Sequence, residues 1–243
     1  MLRFFGLLIS SVFLTSGVLG QSTSQMIEQA DALHASGQLV NLKQAAELYG
    51  RALAADSKSY EAAWKAARSY REYAQLAKEQ GNAKWEEISK DYGKKAMEYG
   101  DKAIKLQPEA IEGHFWYGCS VGTYSDGVSI LTAMREGLKN KTQEALEKSY
   151  QIDKRYRDGA PIKALGRFWF VLPWPMANKD KSYKLLSEFQ KLNPSDAEGQ
   201  VFLAEVLIDR KKVSEALPLL EKAAMSERSY YADWARRLLD ANQ

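Results

Sequence analysis

Cysteine is almost missing from this chain: one thiol, Cys119, stands among 243 residues. A lone cysteine closes no intrachain disulfide, so the fold rests on its own core and not on covalent staples. Histidine is nearly as scarce, with His34 and His114 alone. Two imidazoles and one thiol at these spacings match no zinc site. Cys119 follows His114 by five residues, and at ~100° per residue the two side chains fall on different faces of a helix. They make no nucleophile–base pair there. Gly93-Lys94-Lys95 lacks the preceding glycine loop of a phosphate cradle. The acid pair Glu86-Glu87 points to two different helix faces. The pattern predicts a non-enzyme with no cofactor and no metal.

Strand signals are also wanting, since no stretch alternates apolar and polar residues between turn pairs. The six prolines gather in no linker, and Pro108 and Pro194 fall with Gly37, Gly81 and Gly159 where helices would end. Charge of one sign is not in excess: 34 Lys and Arg against 31 Asp and Glu leave a net +3. The two signs alternate along helical stretches, which reads as a solvated face, and no basic stripe for nucleic acid is present.

Long apolar runs are confined to the start of the chain. Arg3 precedes an apolar stretch from Phe4 to Leu14, and small residues at Val18 and Gly20 lead to Gln21. That layout predicts a cleaved secretory signal over residues 1–20 and a mature domain over 21–243, with export to the periplasm or the medium. A retained anchor is the alternative. The run is shorter than the ~20 residues of a spanning helix, and the mature part is expected to hold no membrane span.

What the chain does have is a returning phrase. Gln44 to Leu53, Lys95 to Ile104 and Glu215 to Ala224 each set small alanines among bulkier residues before a turn. Self-similarity of this kind marks a solenoid. Helices pair along the chain as Ser24–Ser36 with Leu42–Ala54, Ser59–Glu79 with Trp85–Lys105, and Glu109–Tyr124 with Lys141–Gln151. Ala160–Val171 with Lys179–Leu192 and Ala197–Asp209 with Val213–Met225 follow, and Tyr230–Ala241 closes the array. Insertions interrupt the third pair near 125–137 and the fourth at Leu172-Pro173-Trp174-Pro175.

The fifth pair resembles a tetratricopeptide repeat (TPR) at Gln200, Leu203, Ala204, Leu207, Ala216, Leu220 and Ala223. The expected fold is therefore all-α, an α-solenoid of about five TPR-like helix pairs with a C-terminal capping helix. The middle supports a narrower likeness. Gly113 to Gly118, Gly127 to Ile130 and Gly159 to Pro175 are similar to the T component of TRAP transporters and to eukaryotic regulator-of-microtubule-dynamics proteins. The chain has no cysteine after its apolar run, which departs from the lipoprotein form of the T component.

The resemblance implies that the first helix of each pair lines a concave groove. Candidate groove residues are Lys65, Ser69 and Glu72, then Phe115, Cys119 and Gly122, then Lys163, Arg167 and Phe170, with Val201, Glu205 and Ile208 in the fifth pair. Two cations beside two aromatics suit a carboxylate-bearing partner with an apolar body. The other reading stays open: the cations pair with neighbouring acids, and the rings pack between repeats. Gly118 and Gly122, one turn apart, point to a close helix approach. Trp174, held between two prolines, is read as a plug for the gap left by the insertion, or as a groove cap or partner anchor.

The function implied is a non-catalytic protein-interaction scaffold, an accessory to a periplasmic solute-binding protein or transporter. Two alternatives remain: a receptor that holds a small carboxylate ligand directly, and a secreted assembly factor.

Overall fold

The computed structural model describes residues 21–242, so the expected signal over 1–20 lies outside the described residues. Twelve helices fill that span and no strand occurs among the described residues. They are α1 (Thr23–Ala35), α2 (Leu39–Ala55), α3 (Tyr60–Glu79), α4 (Trp85–Leu106), α5 (Ile111–Asp126), α6 (Ile130–Arg135), α7 (Leu138–Asp153), α8 (Tyr156–Val171), α9 (Lys179–Leu192), α10 (Ala197–Asp209), α11 (Val213–Ala224) and α12 (Ser229–Asp240).

Each long helix packs on the next, and a second set of contacts joins α3 to α5, α5 to α8, α8 to α10 and α10 to α12. Two layers follow from this pattern. An inner layer holds α1, α3, α5, α8, α10 and α12; an outer layer holds α2, α4, α7, α9 and α11. This is the expected all-α solenoid of five pairs with a closing helix.

Small residues set how closely the rods dock. Ala204, Ala216 and Ala223 are wholly buried, and Leu203, Leu207 and Leu220 fill the space around them. A Cβ on Gly93 would lie 2.6 Å from the Tyr124 amide nitrogen, and one on Gly100 would lie 2.9 Å from the Tyr117 Cα. Only glycine lets α5 lie that close on the long helix α4. Gly118 does the same for α7, where a Cβ would sit 2.7 Å from Leu146. The close approach expected for Gly122 does not occur, because nothing lies within 4 Å of its Cβ position.

Helix ends differ modestly from expectation. Gly37 turns the chain at a φ of 65°, and α2 resumes at Leu39, three residues early. The insertion between α5 and α7 is not a bare loop but contains α6, capped by Ser129 on the Thr132 amide. In α8 the first turn carries a left-handed step at Arg157, Asp158 and Gly159, with φ of 45°, 58° and 87°. Regular helix resumes at the expected Ala160, and Pro161 sits in its first turn, where no amide donor is missed.

α12 closes the stack. Tyr231, Ala232 and Ala235 are buried, and Phe202 meets Trp234 edge-on at 5.9 Å. Among the described residues no helix is long and apolar enough to cross a membrane.

Candidate functional site

The inner face is built chiefly on α3, where Lys65, Arg68 and Glu72 recur at three- and four-residue spacing and so share one side of the helix. Lys65 is buried and bonds Asp31 at 2.7 Å and Glu61 at 2.6 Å. Asp31 also accepts from the Tyr49 hydroxyl. Burial would raise the Asp31 carboxyl, but Lys65 and Tyr49 outweigh it and hold it below the usual range. Glu72 meets His34 Nε2 at 2.6 Å. Burial pushes Glu72 up, yet His34, Arg68 and Arg71 together bring it down.

The far half of the face repeats the scheme. Lys163 bridges Asp196 at 3.2 Å and Glu198 at 2.8 Å. Arg228 approaches Glu198 at 3.7 Å and reaches Glu79 of α3 at 3.0 Å. Burial would raise Glu198, but Lys163, Arg71 and Arg228 draw it down to about 2. Arg167 bonds Glu205 at 2.5 Å, and its guanidinium lies 4.4 Å from the Phe202 ring centre. Burial dominates at Glu205, whose carboxyl ends above its usual range despite Arg167.

The candidate residues therefore part into groups. Lys65, Glu72, Lys163, Arg167 and Glu205 share a lattice of ion pairs on the inner face, as the self-pairing alternative has it. Phe115 is withdrawn into the core, edge-on to Trp116 at 5.0 Å and Tyr156 at 5.4 Å. Val201 is wholly buried as well. Neither offers surface to a partner, because packing between adjacent inner helices takes it up. Cys119 is half-buried, and burial pushes its thiol up to about 11. Burial thus favours the neutral thiol over the thiolate.

Phe170 and Trp174 lie at the rim, where with Leu172, Ala177 and Lys179 they wall a cleft of about 490 Å³. The plug expected of Trp174 is corrected: its side chain is 91% exposed. Asn178 N–H bonds the Trp169 carbonyl at 3.0 Å and closes the insertion without it.

Three inner-face donors stay without partners among the described residues. The Nε atoms of Arg68 and Arg71 and the Oγ of Ser69 are buried and make no hydrogen bond. A buried donor left unbonded costs ~1–3 kcal/mol; Ser69 is wholly enclosed, whereas Arg68 and Arg71 stand one turn apart and only partly buried. Gly122 adds open space on α5, one turn beyond Cys119. Sequence reasoning passed over Arg68, although its spacing from Lys65 and Glu72 places it on the same side, and Arg71, one turn beyond Arg68. Arg228 and Glu79 gave no such signal, being 149 residues apart.

A family model described as Regulator of microtubule dynamics protein 1-3 matches residues 26–173. The chain is similar to Regulator of microtubule dynamics protein 1 of Bos taurus, 28% identical over 159 residues, covering 62% of this chain and 44% of that protein. The Pongo abelii protein of the same name is 26% identical over 190 residues, covering 70% and 54%. The chain spans about half the length of these relatives. Among solved structures it is similar to TTC0263, a thermophilic TPR protein of Thermus thermophilus, with a TM-score of 0.62, 19% identity, and coverage of 90% of this chain and 100% of that one. YrrB, a TPR protein with an unusual peptide-binding site, follows with a TM-score of 0.51, 15% identity, and coverage of 87% and 91%. Likeness at such identity speaks to the fold.

Proposed function

The chain belongs to the regulator of microtubule dynamics protein 1-3 family, and from that premise we propose that it is a non-catalytic scaffold whose inner face receives an extended segment of a partner protein. The TPR-like fold supports interaction with protein partners in general. The observation that carries the specific reading is the pair of unbonded guanidinium donors, Arg68 Nε and Arg71 Nε, one turn apart on α3. An extended polypeptide brings backbone carbonyls, and at its end a carboxylate, to satisfy such donors. A rigid stack of helices holds these donors in place before binding, which lowers the ordering cost. The site of YrrB described as peptide-binding lends the reading a parallel on a similar fold.

A small carboxylate held by Lys163 and Arg167 is the weaker reading, because both cations already bond acids of this chain. The test is selection of peptides from a random library, followed by titration. Selected peptides should lose roughly tenfold affinity, about 1.4 kcal/mol, on Arg68→Ala with Arg71→Ala, and also on Gly122→Trp, with circular dichroism confirming that each variant stays folded at the titration temperature. A library that yields no peptide sensitive to those changes rejects the assignment.

Export and an accessory role beside a periplasmic solute-binding protein or transporter form the finer part of the proposal. They rest on the layout of residues 1–20 and on the likeness to the T component. Sequencing the N-terminus of the protein purified from its own cells tests them. A chain starting at Gln21 supports export, and an intact Met1 refutes cleavage.

A further inference from the structure

Two insertions in this solenoid leave the same edge. In each pair the chain passes from inner to outer layer at one edge, and both α6, between α5 and α7, and the Leu172–Asn178 loop, between α8 and α9, are such passages. They belong to adjacent pairs. Trp169 ties them together: Lys139, in the first turn of α7, lies 5.9 Å from its ring, and Lys181, in the first turn of α9, lies 4.4 Å from it.

Apolar side chains stand out on both insertions. Ile130, Leu131 and Met134 of α6 are 66%, 75% and 62% exposed, and Trp174 is 91% exposed. No residue of α6 is fully buried; Ala133 rests on the core at Val121, Tyr124 and Leu138, and Ile130, Leu131 and Met134 stand out from it. Cations flank them. Arg135, Lys139 and Lys141 take part in no ion pair among the described residues, whereas nearby Lys179 and Lys181 are held by Asp209 and Glu147.

We propose that this edge is a contact for an anionic lipid surface, with Ile130, Leu131, Met134 and Trp174 entering the headgroup boundary and Arg135, Lys139 and Lys141 resting on the phosphates. Charge complementarity selects this occupant, since each cation near an anionic surface contributes about 1 kcal/mol. Tryptophan with aliphatic neighbours is the composition of the membrane boundary. A protein partner fits less well. A stable protein interface takes roughly 20–30 residues a side with matched shape, while here the exposed apolar side chains are three on the short helix α6 and one on the following insertion. Lipid asks for no matched shape.

The test uses the full chain with phosphatidylcholine vesicles, with and without phosphatidylserine. The protein should sediment with the anionic vesicles, and brominated lipid should quench a part of its tryptophan emission that Trp174→Phe removes. Leu131→Ser with Met134→Ser should weaken binding by roughly tenfold, and Arg135→Glu with Lys139→Glu likewise. Their sites are at the surface, so the melting temperature serves as the folding control. Binding to anionic vesicles that neither pair weakens overturns the proposal. So does an absence of binding, and so does loss of self-association in the first pair with lipid binding intact, which would assign the edge to a second copy. None of these outcomes depends on Arg68 or Arg71, so this edge and the inner face stand or fall separately.

Discussion

Arg228, at the entrance to α12, donates to both carboxylate oxygens of Glu79, at the end of α3, at 3.0 and 3.2 Å. The Tyr231 hydroxyl donates to Glu79 as well, at 3.3 Å. In a repeat array most contacts join neighbours, but this one joins the closing helix to the second pair. The curl of the solenoid is thus tied across its inner face. Arg228 is about half exposed, so solvent screens the pair and its worth is at most ~1 kcal/mol. Its effect should show in shape more than in stability. Glu79→Arg should widen the particle in small-angle X-ray scattering with only a slight change in melting temperature. The swap Glu79→Arg with Arg228→Glu should restore the compact profile. An unaltered profile in the single variant would show that core packing alone sets the curl.

Gly118 and Gly122 make a matched pair for stability. On Gly118 a Cβ would meet Leu146 Cδ2 at 2.7 Å, and on Gly122 it would meet nothing within 4 Å. Gly118→Ala should therefore destabilise by ~1–3 kcal/mol through overpacking. Gly122→Ala should stabilise by up to ~1 kcal/mol, because alanine loses less backbone freedom in a helix. Urea unfolding of the two variants reads both signs. Equal shifts would show that the α5–α7 spacing is looser than described.

Fold and site were legible in the sequence to different depths. Ala204, Ala216, Leu203 and Leu220 announce their helix pair because packing two rods closely needs small residues opposite large ones, and that need is periodic. The α6 helix escaped notice because six residues carry too little periodicity to register. The groove was harder to read. Spacing groups Lys163 with Arg167 on one side of their helix, but spacing along one helix says nothing about which acids the next helix brings. Glu198 and Glu205 arrive from α10 and take the charges of Lys163 and Arg167. Phe115 and Trp174 misled in opposite directions, since neither the depth of a ring nor the exposure of a loop is written in local pattern.

Glu198 gives the chain an acid-sensitive joint. Its ordinary value is 4.5 and its folded value about 2, so the folded state favours the carboxylate more than the unfolded state does. The resulting stability is present above about pH 4.5 and is lost as pH falls towards 2. A displacement of that size corresponds to something on the order of 3 kcal/mol. Glu198→Gln should accordingly be less stable than the parent at pH 6, and the two should converge as pH falls through about 2. Denaturant midpoints across this range decide the matter. A gap that stays constant with pH would mean that Glu198 acts through packing and not through its charge.

Ala216 offers the sharpest probe of the helix register in the last pair. It is wholly buried between α10 and α11, in the cluster with Leu203, Ala204 and Leu220. Tryptophan there must displace neighbours that have no free space, so Ala216→Trp should lower stability by at least the ~1–3 kcal/mol usual for overpacking. Met225 lies just past the end of the same helix and is 78% exposed. Met225→Trp adds a similar bulk at the surface and should stay within ~0.5 kcal/mol of the parent. Thermal melts of the pair separate position from residue type. If both variants melt like the parent, α11 does not turn Ala216 towards α10, and the docking of the last pair must be redrawn.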